Sequence, residues 1–229
     1  MKGIKKMKQF TIPQKIYMGV KRVIDILLSA LALILLSWLF LILCIAIKID
    51  SRGPILFKQK RVGIHKTHFM IYKFRTMRID TPKDMPTHML ADPEQYITRV
   101  GKFLRKSSLD ELPQIINILM GKMSIVGPRP ALWNQYDLIE ERDKYGANDV
   151  KPGLTGWAQI NGRNATGWDE RLQQDVYYVD HCSLFLDCKI ILRTVLKVVK
   201  RSDVLVGKQI PAGRLDVSRK NRLDLNGVK

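Results

Sequence analysis

The sequence predicts an α/β fold dominated by helices. The expected parts are one N-terminal membrane helix, a compact cytosolic domain and amphipathic helices at the lipid interface. Three observations lead there. Residues 26–47 are uninterruptedly apolar or uncharged. The rest of the chain alternates short extended stretches with longer helical ones. Basic residues outnumber acidic ones, 39 to 21, for a net charge of +18 at pH 7. A chain of 229 residues suits one domain with an appendage. With 46% apolar and 26% charged residues, wholesale disorder is excluded. Three cysteines without paired spacing argue against a disulfide scaffold and for a reducing compartment. The charge calls for an anionic partner: nucleic acid, an acidic membrane surface or phosphate-bearing substrates.

The 22 residues of the apolar run measure about 33 Å as a helix. That is enough for a hydrocarbon core of about 30 Å. The run is too long for the core of a signal peptide, and no small-residue cleavage site follows it. Its flanks are basic on both sides. Lys2, Lys5, Lys6, Lys8, Lys15, Lys21 and Arg22 precede it; Lys48, Arg52, Lys58, Lys60, Arg61 and Lys66 follow it. Cytoplasmic flanks attract such charge. A single span would export one cluster, whereas a helix that enters and turns back keeps both inside, and the residues leave both arrangements open. A turn within the bilayer needs a backbone break whose freed polar groups are satisfied again. The candidates are Ser29 and the pair Ser37 and Trp38, since a serine hydroxyl can bond back to a carbonyl one turn earlier and bend a helix.

Beyond the run, Gly53 and Pro54 mark a turn, and residues 55–57 open an extended stretch. Residues 69–77, FMIYKFRTM, read as a strand or the start of a helix. Residues 80–98 look like a loop. Helices are expected over 108–120, 131–146, 168–180 and 184–200, and a glycine-rich loop over 152–164. The tail after about 205 shows no period. Lys189, Arg193 and Lys197 recur every four residues beside an apolar face, the pattern of a basic amphipathic helix at a membrane surface.

The chemistry concentrates in RKSSLDELPQIINILMGKMSIVGPRP, residues 105–130. Ser107 or Ser108 can cap a helix, and Pro113 is tolerated in its first turn. Asp110 and Glu111 then fall at a helix N-terminus, where the dipole and free N–H groups favour negative charge. A carboxylate kept ionised there can act as a nucleophile, and Arg105 and Arg129 can neutralise a transferring phosphoryl group. GKMS at 121–124 lacks the glycine a phosphate-binding loop needs five residues earlier, where Ile116 stands. His65, His68 and His181 lack zinc-ligand spacing. Arg163, between Gly162 and Asn164, suits a diphosphate. Trp157, Trp168, Tyr177 and Tyr178 suit base stacking, the lipid interface or the core.

Several blocks in order resemble the monotopic bacterial phosphoglycosyl transferases, the sugar transferases that initiate polysaccharide synthesis, in their minimal one-helix form. They are KRVID, IKIDSRGPILFKQKRVG, YKFRTM, SSLDELPQIINILMGKMSIVGPRP and KPGLTGWAQINGR, spread over about 21–203. The resemblance implies transfer of a sugar-1-phosphate from a nucleoside-diphosphate sugar, here a UDP-sugar, to polyprenyl (undecaprenyl) phosphate, with release of UMP and use of Mg²⁺. It implies Asp110 as the nucleophile of a covalent phosphosugar intermediate and Glu111 as the group that helps deprotonate the acceptor. It implies Arg105, Arg129 and Arg163 as phosphate ligands, Asp110 as the residue beside the metal, and a re-entrant helix at the cytoplasmic face of the inner membrane. Trp38 follows Ser37 where the family usually has proline. The expected division is a basic segment 1–22, a membrane helix 23–49, a catalytic domain 50–204 and a tail 205–229. A membrane-tethered nucleic-acid binder and a non-catalytic scaffold of polysaccharide assembly are the rival classes. The carboxylate pair and three arginines speak against a scaffold, a nucleic-acid binder has no need of the acidic core segment, and no nucleic-acid partner is expected.

Overall fold

The computed structural model describes residues 8–81, 92, 94–161 and 168–200. Helix α1 runs Ile12–Leu35 and starts at a reciprocal cap. The Thr11 hydroxyl accepts from the Gln14 N–H, and the Gln14 side chain accepts from the Thr11 N–H. The helix therefore begins within the basic segment, well before the apolar run. It ends at Leu36, and α2 continues as Ser37–Asp50 at a bend of 62°. The expected single helix over 23–49 is thus two. The Ser37 hydroxyl donates to the Ile34 carbonyl at 2.8 Å, re-satisfying an acceptor at the break without any proline. Ser29, the other candidate, is buried inside α1 and does not interrupt it. No single described helix is long and apolar enough to cross a membrane; the bent pair passes that test together, by length and composition.

Neither helix is a free tether. In α2, Leu43 and Ile47 join a core with Phe74 and Leu104, while Trp38, Leu41 and Ile45 stay exposed on the other side. Arg75 meets the C-terminus of α2, donating to the carbonyls of Ser51 and Arg52. From α1, Arg22 donates to the carbonyls of Ile118 and Leu119, at 2.7 and 2.9 Å. Asp25, also buried, accepts from the Ile125 N–H at 3.0 Å.

The sheets are small. Strands β1 (Leu56–Val62) and β2 (His68–Phe74) pair as an antiparallel hairpin, with Leu56 opposite Phe74 and Val62 opposite His68. Residues 69–74 are therefore strand, the first of the two alternatives. Helix α3 (Arg99–Ser107) and α4 (Gln114–Leu119) follow, then β3 (Ser124–Val126), α5 (Tyr136–Lys144), β4 (Gly153–Thr155), α6 (Trp157–Ile160), α7 (Trp168–His181) and α8 (Leu184–Lys200). Strands β3 and β4 run parallel. A second core gathers Val126, Ile160, Tyr178, Val179, Cys182, Leu186 and Ile190. Tyr178 is thus a core residue, whereas Tyr177 is exposed and stacks on Trp157 at 5.1 Å.

The expected glycine-rich loop over 152–164 contains β4 and α6 instead. Two of its glycines, Gly153 and Gly156, serve close packing. A Cβ on Gly153 would lie 2.1 Å from the Gly127 nitrogen, and one on Gly156 would lie 2.2 Å from the Gly127 oxygen. Only hydrogen fits where these two backbones meet. Residues 162–167, Arg163 among them, fall outside the described residues, as do the Trp168 side chain, His88 and the tail.

Substituting Gly153→Ala forces the β3–β4 pair apart. The expected cost is about 1–3 kcal/mol, read as a lower thermal unfolding midpoint in detergent. An unchanged midpoint contradicts the packing described.

Candidate active site

Asp110 and Glu111 sit on a single 3-10 turn, Leu109–Glu111. It follows directly on α3, which ends at Ser108 in the left-handed conformation (φ 58°). Leu112 and Pro113 then lead into α4. The expected serine cap is absent: the Ser107 hydroxyl bonds back to the Phe103 carbonyl at 2.8 Å, and Ser108 makes no side-chain cap. Pro113 immediately precedes α4, where its missing N–H costs nothing. Helix α4 has only six residues, so its dipole is small. Cationic side chains supply the positive potential instead.

Glu111 is the hub. Its Oε1 accepts from Lys73 Nζ and from an Arg129 Nη2 donor, each at 2.8 Å. The Glu111 side chain is 12% exposed and Lys73 17%, while Arg129 keeps 37% and reaches toward open space. Arg129 is held above its ordinary pKa, mainly by Glu111. Burial pushes the Lys73 ammonium down, against the pull of Glu111. Asp110 acts electrostatically on Arg105, Lys73 and Arg129. Arg105 is lowered by burial, and its Nε donates to the Thr76 hydroxyl at 2.9 Å.

Asn117 sets the distance between the two halves of this cluster. It is fully buried, accepts from the Tyr72 N–H at 2.9 Å and donates to the Met70 carbonyl at 2.8 Å. An α4 side chain thereby takes the place of a third strand on β2, and Glu111 comes to face Lys73.

The structure therefore brings Asp110, Glu111, Arg105 and Arg129 together. It adds three cations that sequence reasoning did not assign to a site. Lys73 comes from YKFRTM and Arg61 from KQKRVG, two blocks quoted for the resemblance but not read for chemistry. Arg171 on α7 had no signal. Arg61 is pushed down to about 10, first by burial and then by Arg129. Arg171 is lowered by burial and by Arg129, with Asp175 opposing. Four cations, Arg61, Lys73, Arg105 and Arg129, so act on two carboxylates, with Arg171 beside Arg129 and Asp175. The arrangement is suited to receive phosphate groups and to stabilise charge on a transferring phosphoryl.

The chain matches the family model described as bacterial sugar transferase over residues 16–201, and it belongs to that family. It is 41% identical to the uncharacterized sugar transferase EpsL of Bacillus subtilis over 197 residues, covering 86% of this chain and 96% of that one. It is 44% identical to the UDP-glucose:undecaprenyl-phosphate glucose-1-phosphate transferase of Caulobacter vibrioides, covering 76% and 68%. The Aeromonas hydrophila UDP-N-acetylgalactosamine-undecaprenyl-phosphate N-acetylgalactosaminephosphotransferase is 38% identical over 82% of this chain, which spans only 45% of that longer protein.

Glu111→Gln removes the negative charge that opposes the burial of Lys73. The Lys73 pKa, already low, is expected to fall further, as read by NMR titration of isotopically labelled lysines. A rise, or no movement, contradicts the pairing.

Proposed function

We propose that this chain transfers a sugar-1-phosphate from a UDP-sugar to undecaprenyl phosphate, the first membrane step of a bacterial polysaccharide or glycoconjugate, at the cytoplasmic face of the inner membrane. One observation carries the reading: two adjacent carboxylates lie within a ring of buried and half-buried cations. Such a site is electrostatically incomplete until phosphates enter it.

In the first half-reaction an Asp110 oxygen attacks the phosphorus that bears the sugar. The bond from that phosphorus to the bridging oxygen breaks, UMP leaves with the electron pair, and an aspartyl phosphosugar forms. Arg105, Arg129 and Arg163 hold the diphosphate, and Lys73 spreads the positive field. In the second half-reaction an oxygen of the lipid phosphate attacks the same phosphorus. Glu111 accepts its proton where one is present, and the Asp110 carboxylate is released. The nucleotide leaves before the lipid phosphate arrives, so one pocket serves both substrates.

Mg²⁺ fits this arrangement as an ion carried with the donor. No group of three His, Cys, Asp or Glu side chains converges among the described residues. Mg²⁺ is ordinarily held by one or two carboxylates with substrate phosphates and water completing its shell. By the family resemblance Asp110 would hold the ion, while Glu111 bonds two cations. Bound there, the ion would neutralise charge on the diphosphate.

The bend at Leu36 and Ser37, with basic residues at both ends of the helix pair, supports a re-entrant rather than spanning arrangement. On α8, exposed Phe185, Leu192, Val195 and Leu196 border Lys189, Arg193 and Lys197, a composition suited to an anionic lipid surface. A site at this depth meets the acceptor's phosphate without extracting its tail.

Asp110→Asn should abolish a radiolabelled sugar-phosphate adduct formed from a panel of UDP-sugars; an adduct of wild-type amount removes Asp110 from its role. Glu111→Gln should slow acceptor-dependent turnover about 10²–10⁴-fold. For topology, cysteines placed at Gly3 and Ile64, in a chain lacking the exposed Cys188, should both label from the cytoplasmic side. Labelling from opposite sides contradicts re-entry.

A further inference from the structure

Arg129 is the most exposed of the three groups in its ion pairs, and like charges crowd it even though Glu111 holds it ionised. Arg61, Lys73 and Arg171 all feel its charge as a like charge. Glu111 bonds its side chain, and Asp110 adds to the pull. Where this guanidinium points depends on how the backbone beneath it is held.

That backbone is held to an unusual degree. Arg129 lies between Pro128 and Pro130, whose rings fix φ on either side. Every carbonyl across the segment is occupied. Gly153 N–H donates to the Pro128 carbonyl at 2.9 Å, and Val62 N–H donates to the Ala131 carbonyl at 3.0 Å. The two between are taken by arginine side chains. Arg61 Nη1 donates to the Pro130 carbonyl at 3.1 Å, and Arg142 Nη1 donates to the carbonyl of Arg129 itself at 2.8 Å.

Arg142 is buried on α5, 7% exposed, far from any surface role. Its Nε and Nη2 both bond Asp175 Oδ2 on α7, at 3.1 and 2.5 Å. Asp175 is 2% exposed. The planar fork places one edge on the carboxylate and leaves a third N–H for the carbonyl, a division a lysine ammonium cannot reproduce. A plain α5–α7 ion pair would need no bond to the Pro-Arg-Pro segment.

We infer that Arg142, oriented by Asp175, is a positioning residue for the transfer reaction: it fixes the carbonyl of Arg129 and thereby aims the Arg129 guanidinium at the donor diphosphate. The inference rests on the reading of Arg129 as a phosphate ligand. Its chemical content is geometric. A displacement of about 1 Å at a group that stabilises the transition state can cost on the order of 100-fold in rate.

The test uses the full chain in detergent. Its substrates are undecaprenyl phosphate and a mixed pool of UDP-glucose, UDP-galactose, UDP-N-acetylglucosamine and UDP-N-acetylgalactosamine. UMP release and adduct formation are followed. Arg142→Lys is expected to lower kcat by roughly 10–100-fold, with KM for the pool changed less than threefold and the thermal midpoint little moved. Asp175→Asn keeps the shape of the carboxylate and is the second variant should Arg142→Lys fail to fold; it should reproduce the same split. The decisive measurement is the double substitution. In an Arg129→Ala background, Arg142→Lys should cost less than about threefold more, since a relay acts only through the group it positions. Arg129→Lys serves as the background if adduct formation in Arg129→Ala falls below detection. Losses that multiply in the double variant overturn the relay and leave the phosphate-binding reading standing. Wild-type turnover in Arg129→Ala overturns that reading and the relay with it.

Discussion

Glu111 accepts from Lys73 and Arg129 through the same oxygen, and much of the molecule is arranged so that it can. The three residues come from an irregular turn, a hairpin strand and a proline-flanked loop. Each carries a charge whose burial is costly unless opposed, and Lys73 in particular is held below its ordinary pKa by burial while Glu111 pulls the other way. The balance leans positive: Arg61 and Arg105 add to Lys73 and Arg129 around Asp110 and Glu111. In the proposed function, anionic substrate completes it. A site of this kind binds phosphate because the empty state is electrostatically strained, and it supports transfer because the same cations already face the place where charge moves.

On that reading, reaching a lipid phosphate requires the bent helix pair and the catalytic body to share one rigid frame. Apolar packing of α2 and polar contacts of α1 together make that joint. Arg22 closes the C-terminus of α4, the helix that continues from the carboxylate turn, and Asp25 holds the backbone of β3. Lower on α1, Tyr17 and Lys21 bond Asp187 of α8, which also accepts from Tyr178. Directional bonds of this sort set depth and rotation, which apolar packing alone leaves loose.

The bend between α1 and α2 fits the same logic. A proline would break the helix by removing a donor. Here Leu36 departs from helical geometry and Ser37 returns a hydroxyl to the Ile34 carbonyl, so the acceptor freed by the break is covered. The packing of Leu43 and Ile47 against Phe74 and Leu104 gives the second helix a reason to turn back along the body.

Much was legible in the sequence because the signals were local. The apolar run, the basic flanks, the carboxylate pair, the serine at the bend and the boundaries of α7 and α8 depend on neighbours a few residues away, and family blocks in order identified the class. What the sequence by itself could not determine involves partners far apart in the chain. Asp110 and Glu111 read as a capped helix start, yet the field on them comes from side chains distant in the chain, Lys73 and Arg61 as well as Arg105 and Arg129. The glycines of 152–164 read as a pliant loop, yet they admit the Gly127 backbone at a distance no side chain allows. Asn117 and Arg142 carried no signal at all, since a buried amide or guanidinium acquires meaning only from the carbonyls it meets. Local chemistry is written in consecutive residues; the cancellation and excess of charge exist only once the chain has closed on itself.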